Sequence, residues 1–387
     1  MKLNKVLPVL FLIMFLVMVG FGIIIPVLPF YAEELGASPA ELGLLMSVYS
    51  IMQFIFAPMW GRISDRTGRK PVIMIGIFGL SLSFFMLAAA SQLWMLFAAR
   101  IVGGILSAAN MPAVQAYVAD ITTDNDRSKG MGIIGAATGM GFIFGPAIGG
   151  VFTNINLQAP FYLAGIISLL TLFLVAIVLK ESVHPANLQT KSQEGLSPSS
   201  FTRGPLPVLY FLQFFITLSL AGLEATFAYF AAARAGLDAV TLGYIFMIMG
   251  LASAAVQGSL GPLTKKFGEA AIIQMGIVVS AIGFALILLI HDFTTAALFL
   301  AVFGIGNGVI RPSISSILTK HSGTGYGSVT GYLSSFDSLG RIIGPAAGGF
   351  LYSVAISLPY LSGIFLSIFA YMLFQVYKSR LKAAERG

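Results

Sequence analysis

The sequence predicts an all-α membrane protein of twelve transmembrane helices in two parallel six-helix repeats. Three observations predict this fold class: the composition is strongly apolar, twelve apolar runs are long enough to cross a bilayer, and the two halves repeat one another. Of 387 residues, 57% are hydrophobic and only 10% are charged, and the mean hydropathy is +0.91. Soluble proteins of this length are far less apolar, so the composition indicates a multi-pass protein in membrane lipid.

Twelve apolar runs have the roughly 20 residues that a membrane-spanning helix needs. The first run follows Lys2 and Lys5, but it is too long for a signal peptide and has no small-residue cleavage site before Tyr31, so we expect it to be retained. The runs are residues 6–30, 42–60, 71–90, 93–119, 130–152, 160–179, 206–233, 242–260, 270–289, 296–318, 326–352 and 358–376.

The distribution of basic residues predicts the orientation of the chain. Of the 22 Lys and Arg residues, three lie within predicted spans, eighteen lie in segments on the side of the N-terminus, and only Arg234 lies in a loop on the other side. Because Lys and Arg favour the cytoplasmic side of short loops, we expect both termini in the cytoplasm.

The second half of the chain repeats the first at an offset of 200 residues. We therefore predict an N-terminal six-helix half (1–180), a polar cytoplasmic linker (181–205), a C-terminal six-helix half (206–377) and a cytoplasmic tail (378–387). The repeated residues are Leu42-Gly43 and Leu242-Gly243, Gly61 and Gly261, Gly68 and Gly268, Pro112 and Pro312, and, with one residue removed, Gly145-Pro146 and Gly344-Pro345.

Composition also excludes several classes of function. The formal net charge is +7, but no basic stripe with interleaved aromatics is present, so we expect no nucleic-acid partner. The chain has no Cys and three scattered His, so we expect no metal site and no cofactor. Without a nucleophile paired with a base we do not expect an enzyme, and without a phosphate-binding loop we expect ion gradients to supply any energy.

A charged motif occupies the loop between the second and third predicted spans. Its glycines allow tight helix ends, and a carboxylate among four cations can form a charge-assisted latch to neighbouring helix ends. The positive-inside rule would explain the cations but not Asp65 or the paired glycines. The motif reads Gly61-Arg62-Ile63-Ser64-Asp65-Arg66-Thr67-Gly68-Arg69-Lys70.

A glycine-rich motif lies in the fifth predicted span. Glycines four residues apart form a smooth groove for close helix approach, and Pro146 removes one backbone hydrogen bond. Ordinary small-residue packing is the alternative, because the second half has the same pattern at Gly340, Gly344 and Gly348. The motif reads Gly141-Phe142-Ile143-Phe144-Gly145-Pro146-Ala147-Ile148-Gly149-Gly150.

These two motifs resemble signatures of the major facilitator superfamily. The loop motif is similar to the loop signature of the whole family, and the fifth-span motif is similar to that of its twelve-span drug:proton antiporter branch. Residues 20–31 of the first span resemble a further element of these exporters. The resemblance covers nearly the whole chain, is closest in kind to multidrug exporters of Gram-positive bacteria, and implies the major facilitator fold.

The resemblance also implies a gating latch. Asp65 and Arg69, with Asp120 at the inner end of the fourth span, would hold the outward-open state of the transporter, and Gly61, Arg66, Gly68 and Lys70 complete the motif. The second copy has Lys265 in place of Asp65, so we expect its latch to be weaker or absent.

Ionisable side chains within spans are the best local evidence for function, because each costs about 2.5–3.5 kcal/mol on insertion scales unless it is paired or hydrated. Glu224 in the seventh span is our first choice for a proton-carrying carboxylate, the alternative being a hydrated residue in an outer vestibule. Asp337 and Arg341 are four residues apart on one helical face, where they either neutralise one another or provide a second acid. Arg311 precedes Pro312 in the tenth span.

Two further residues are candidates because of the resemblance. Arg100 in the fourth span resembles an intramembrane arginine that the family associates with proton coupling, the alternative being a partner of backbone carbonyls. Some multidrug relatives carry an acidic residue where this chain has Asn307. Two acids against Arg311 and Arg341 would leave a nearly neutral cavity, which would also suit zwitterions or weak anions.

We expect the substrate to meet a broad, mostly apolar pocket. Its candidate contacts are Gln53, Phe142, Ile143, Glu224 and Asn307. The sequence thus predicts a monomer in the plasma membrane of a bacterium that exports small lipophilic, often cationic drugs or related amphipaths against protons by alternating access. The alternative is an importer or exporter of a sugar, a metabolite or a lipid. A sugar or metabolite importer would share the fold and the latch but should lack the fifth-span motif, and a lipid transporter would favour hydrophobic residues at a lateral opening.

Overall fold

The computed structural model describes residues 3–182, 206–321 and 326–386, and within these ranges the chain is helical with short connections and no strands. The first seven helices are α1 (Leu3–Glu34), α2 (Pro39–Thr67), α3 (Arg69–Ala88), α4 (Leu93–Ser107), α5 (Asn110–Ile121), α6 (Asp124–Phe152) and α7 (Ala159–Val178). The remaining helices are α8 (Pro207–Ala235), α9 (Ala239–Gly258), α10 (Leu260–Phe267), α11 (Glu269–Ile287), α12 (Phe293–His321), α13 (Tyr326–Val354) and α14 (Leu358–Arg386).

Eleven helical segments among the described residues are long and apolar enough to cross a membrane, and they coincide with eleven of the twelve predicted runs. The prediction of an all-α, multi-pass membrane protein is therefore confirmed. The remaining run, the eleventh in chain order, forms α13, which is rich in Gly and Ser and carries Asp337 and Arg341, and it is not among the eleven segments. The count of twelve spans and the orientation of the termini stay predictions.

One predicted run is interrupted where the sequence showed no sign of a break. The fourth run is divided between α4 and α5 by a turn at Ala108 and Ala109, whereas the turn at Ser259 between α9 and α10 coincides with the predicted end of the eighth run. The Ala pair is apolar and favours helix, so hydropathy alone could not reveal the turn. Of the predicted linker, residues 183–205 lie outside the described residues.

The repeat is visible in the backbone. The four glycines with positive φ form two pairs 200 residues apart: Gly36 and Gly236 have φ of 82° and 62°, and Gly68 and Gly268 have φ of 103° and 80°. This region of φ is disfavoured for residues with a side chain, so glycine is required for these tight ends. Gly68 separates α2 from α3, and Gly268 separates α10 from α11.

The chain forms two compact units. Among the described residues, the first unit contains α1, α2 from Val48 onward, α3 to α7, and residues 239–247 of α9. The second unit contains residues 38–47, α8, the remainder of α9, and α10 to α14. The predicted boundaries of the two halves therefore stay a prediction, because each unit also includes the first residues of a helix from the other half.

Each unit is built on a pair of helices in close backbone contact. In the first unit, α6 packs against α1: a Cβ on Gly145 would lie 2.7 Å from the Cα of Gly22. In the second unit, α13 packs against α8 in the same way, since a Cβ on Gly348 would lie 2.9 Å from the Cα of Gly222. Small residues allow such approach, and the backbones could not come so close around larger side chains.

Candidate functional site

Four charged side chains meet within the second unit, on α8, α12 and α13. Arg311 Nη2 lies 3.1 Å from Asp337 Oδ2, and Arg341 Nη1 lies 4.0 Å from Glu224 Oε2. From the sequence, Asp337 and Arg341 could either neutralise one another within α13 or provide a second acid. In the structure each of them instead has its partner within ion-pair distance on a different helix.

The Asp337 carboxylate is held by several donors. Thr217 Oγ1 donates to Asp337 Oδ1 at 2.5 Å, and Gln213 Nε2 donates to the same oxygen at 2.9 Å. Together with the Arg311 guanidinium, these groups replace the water that a charged carboxylate loses on burial. Asp337 therefore has the surroundings of a fixed anion.

The glycine face of α13 brings these groups together. A Cβ on Gly340 would lie 2.8 Å from the Cβ of Thr217, and a Cβ on Gly344 would lie 2.6 Å from the carbonyl oxygen of Leu218. Because the backbones of α8 and α13 touch at these positions, the short side chain of Asp337 reaches α8 directly. The small residues of α13 thus position the acid.

Glu224 has different surroundings from Asp337. Its side chain is 19% exposed, and among the described residues its carboxylate accepts no hydrogen bond and has only Arg341 within ion-pair distance. Protonation of Glu224 would break no hydrogen bond, whereas protonation of Asp337 would weaken three interactions. The two acids are therefore not equivalent.

Arg100 lies in the first unit and has no carboxylate partner within ion-pair distance among the described residues. It is buried, its guanidinium carbon lies 4.2 Å from the ring centroid of Tyr49, and its Nε has no hydrogen-bond partner. Tyr49 Oη shares a 2.6 Å hydrogen bond with Ser107 Oγ and accepts one from Gln53 Nε2 at 2.9 Å. Gln53 is thus joined to Arg100 through Tyr49.

The fifth-span motif forms the surface by which α6 packs in the first unit. Gly141 faces Met18, Gly145 faces Gly22, and a Cβ on Gly149 would lie 2.8 Å from the carbonyl oxygen of Ile23. At the end of the motif, a Cβ on Gly150 would lie 2.6 Å from the carbonyl oxygen of Ala239, and the carbonyl of Pro146 is approached by Gly243. Each glycine of the motif is close to a neighbouring backbone, as a packing surface requires.

The loop motif closes a network of ion pairs at the predicted cytoplasmic end of α3. Arg69 Nη1 lies 2.5 Å from Asp65 Oδ1, and Arg69 Nε lies 2.9 Å from Asp120 Oδ2. Glu181 Oε1 accepts a bond from the backbone N–H of Arg69 at 2.8 Å, and its Oε2 accepts one from the N–H of Lys70 at 3.1 Å. The three residues that the resemblance implied for a latch are in contact, and Glu181 adds a carboxylate at the N-terminus of α3.

The second copy of this network has its charges reversed. Glu269 stands where the first copy has Arg69, and Lys320 stands where it has Asp120. Lys320 Nζ forms an ion pair with Glu269 Oε1, and Ser316 Oγ donates to the same oxygen at 2.9 Å. An ion pair therefore occupies the equivalent positions, so the second copy does not lack a contact of this kind, and a weaker latch there stays a prediction.

The remaining candidates are more scattered. Phe142 is exposed and Ile143 is buried, whereas Asn307 is half-buried and lies one helical turn before Arg311 on the same face of α12. Arg66 is exposed, and Lys70 Nζ donates to the carbonyl of Ala176 at 2.7 Å. None of these contacts brings them to Glu224.

Several residues of these networks were missed by the sequence analysis. Gln213 and Thr217 are polar side chains one turn apart in an apolar span, a spacing that predicts a shared polar face. Tyr49 gave no signal of its own, since an aromatic residue in a span usually packs in the core or against lipid. The role of Lys320 could have been found by applying the offset of the repeat to every charged residue. Glu181 could have been found by inspecting the charges that follow the end of α7.

The fold and these sites define a multi-pass membrane protein with charged groups inside each compact unit. The model of the Major Facilitator Superfamily matches residues 10–330 and 209–386, and the chain belongs to this family. It is 32% identical to "Multidrug resistance protein 2" of Bacillus subtilis, over 95% of this chain and 93% of that protein. It is 30% identical to "Quinolone resistance protein NorA" of Staphylococcus aureus, over 99% of this chain and 100% of that protein.

Solved structures share the fold. The nucleoside transporter NupG superimposes with a TM-score of 0.80 at 15% identity, covering 99% of this chain and 100% of that one. The human organic anion transporter MFSD10 superimposes with a TM-score of 0.71 at 24% identity, covering 97% of this chain and 100% of that one. At these identities the similarity concerns the fold alone.

Proposed function

We propose that this protein exports lipophilic, often cationic drugs or related amphipaths across the plasma membrane of a bacterium in exchange for protons, and that Glu224 carries the proton. The full-length similarity to proteins named for multidrug and quinolone resistance supports the class of substrate. The observation that carries the role of Glu224 is a mostly buried carboxylate that, among the residues the structure describes, accepts no hydrogen bond and has a guanidinium 4.0 Å away.

Exchange follows from competition at this carboxylate. When Glu224 is ionised, Arg341 is its one cationic partner within ion-pair distance in the described part of the chain, so either a proton or the cationic group of a substrate can stabilise it. The two ligands then exclude one another, and a proton taken from outside displaces the drug. The membrane potential alone supplies about 2.3 kcal/mol per charge per 100 mV, so inward proton movement can drive export.

The other candidates take supporting roles in this scheme. Asp337 remains ionised and fixes Arg311, and Arg100 with Gln53 provides the polar part of the first unit. Phe142 and Asn307 contribute to a broad substrate surface. The Asp65, Arg69 and Asp120 network holds one state of an alternating-access cycle, in which a single chain works with both termini in the cytoplasm.

The test is transport by purified protein in liposomes with an imposed pH gradient and a pH-sensitive dye inside. Ethidium should evoke proton movement through the wild type, and Glu224→Gln should abolish it, because the amide cannot exchange a proton. Exchange of labelled for unlabelled ethidium without a gradient should also be strongly weakened in Glu224→Gln, because the neutral amide resembles the protonated form, from which the cation is displaced. Glu33→Gln, which changes an exposed carboxylate on α1, is the matched control and should retain both activities.

Asp337→Asn distinguishes the two acids. This variant should transport more slowly, because Arg311 loses its ion pair, yet each ethidium should still move with the same number of protons. Proton movement lost in Asp337→Asn but kept in Glu224→Gln would transfer the coupling role to Asp337. Proton movement evoked by sugars and not by ethidium would contradict drug export.

A further inference from the structure

The arginines of the charged cluster are more exposed than its acids. The side chains of Arg311 and Arg341 are 53% and 43% exposed, whereas those of Asp337 and Glu224 are 12% and 19% exposed. The cluster contains equal numbers of positive and negative charges, one acid on α8, one arginine on α12, and an acid and an arginine on α13. Its accessible surface nevertheless belongs mainly to the two arginine side chains.

The position of the arginines indicates that this surface faces water. Arg341 lies roughly 20 Å from either end of α13, and Arg311 lies about 15 Å from the nearer end of α12, at 1.5 Å of rise per residue. Contact of a guanidinium with lipid near the middle of a span is strongly unfavourable, and charged residues in spans face the protein interior or a hydrated cavity. We therefore expect the exposed parts of both side chains to face a hydrated cavity and not lipid.

Both arginines retain hydrogen-bonding capacity. A guanidinium has five N–H donors in a planar fork that matches a carboxylate. Within the described residues, Arg311 has one acidic partner at 3.1 Å, and Arg341 has one at 4.0 Å, which is beyond hydrogen-bond distance. Most of the donors of Arg341 are thus available to a ligand.

We propose that Arg341, with Arg311 beside it, binds an anionic group of the substrate, so that the preferred substrates are zwitterionic amphipaths rather than purely cationic ones. This inference rests on the proposed drug export and names its substrate class. The loose pair of Arg341 and Glu224 is replaced on binding: the substrate carboxylate goes to Arg341 and its cationic group goes to Glu224. A proton still competes with the cationic group at Glu224, so exchange is preserved.

A matched pair of dyes tests this subsite. Rhodamine B carries a carboxylate and a delocalised cation, and its ethyl ester carries only the cation. Transport of both is measured in proteoliposomes with a pH gradient, for the wild type, Arg341→Gln and Arg341→Lys. Arg234→Gln is the control, because it removes a guanidinium from the last turn of α8, beside Phe230 and away from the cluster.

The expected result is a change confined to the zwitterion. Arg341→Gln should raise the KM for rhodamine B about tenfold, in the range of a lost charge-assisted hydrogen bond, and leave the KM for the ester within about twofold. Arg341→Lys should raise the KM for rhodamine B less, because it keeps the charge but not the fork. Arg234→Gln should change neither value.

The other outcomes decide between failure of the anion subsite and failure of the proposed export. Equal changes for both dyes in Arg341→Gln, or no change for either, would overturn the anion subsite while leaving export intact. If Arg341→Gln transports neither dye, Arg341→Lys decides: a KM raised for rhodamine B alone supports the subsite, and equal changes oppose it. A wild type that moves neither dye against a pH gradient would overturn the proposed export and the subsite together.

Discussion

The two loop networks occupy equivalent positions of the repeat with opposite charges. In the first unit Arg69 on α3 pairs with Asp120 on α5, and 200 residues later Glu269 on α11 pairs with Lys320 on α12. The first pair is shielded, with side chains 10% and 16% exposed, whereas Lys320 is 59% exposed. The repeat thus preserves the ion pair rather than its sign, and only the first pair is buried enough to contribute strongly.

The largest effect is expected from reversing the charge at the buried position. Arg69→Glu would place a third carboxylate between Asp65 and Asp120, and leaving a buried charge uncompensated costs about 3–5 kcal/mol. Drug efflux from cells should fall at least about tenfold, and less protein should accumulate in the membrane. Arg62→Glu, which changes an exposed cation of the same motif outside the predicted latch residues, is the control and should change efflux little. Equal loss in the two variants would mean that local charge, not the ion pair, matters.

Transplanting the charges of the second copy should recover part of this loss. Asp65→Lys, Arg69→Glu and Asp120→Lys together reproduce the pattern of Lys265, Glu269 and Lys320. If the pair and not its sign is required, the triple variant should export several times faster than Arg69→Glu alone in the same efflux assay. A triple variant as inactive as the single one would show that the sign itself is needed.

This reversal also shows what could be predicted from the sequence. Hydropathy predicts eleven of the helical segments that are long and apolar enough to cross a membrane, and the repeat predicts the paired glycines with positive φ, because apolar length and glycine position are properties of the chain itself. Asp65 and Arg69 could be named from the loop motif, and Asp120 from the family resemblance. The partners of Asp337 and Arg341 could not, because a spacing of four residues suggests a pair within α13 and reveals nothing of Thr217 or Arg311 on other helices.

A smaller effect is expected from breaking the exposed pair. Glu269→Gln would remove the charge that Lys320 meets, but exposed ion pairs contribute only about 0–1 kcal/mol. Efflux should fall by no more than about twofold, and the thermal unfolding midpoint of the purified protein should change little. Lys265→Gln, which changes a cation outside this pair, serves as control. A loss as large as that of Arg69→Glu would show that the two copies contribute equally.

The smallest effect is expected from substitution of Glu181, and it arises because the first network places the positive charge of Arg69 at the N-terminus of α3. The N-terminus of a helix favours negative charge, and α11 begins with Glu269 itself, whereas α3 begins with Arg69. In the first unit the negative charge comes instead from Glu181, whose carboxylate accepts the N–H groups of Arg69 and Lys70. Glu181→Gln should therefore lower the stability of the wild type by about 0.3–1 kcal/mol, measured as chemical unfolding in detergent.

The effect of Glu181→Gln should depend on the charge at position 69. In the triple charge transplant, residue 69 is itself acidic at the start of α3, and Glu181 would then face a like charge. The same Glu181→Gln change should be neutral or stabilising there. The effect of Glu181→Gln on the free energy of unfolding should therefore differ in sign between the two backgrounds, and a double-mutant cycle measures this difference as a coupling energy. Equal effects in both backgrounds would show that Glu181 acts only as a hydrogen-bond acceptor, which the amide oxygen of Gln can partly replace. A stability change of opposite sign in the two backgrounds would show that the charge of Glu181 compensates the cation that the first copy of the network places at the positive end of α3.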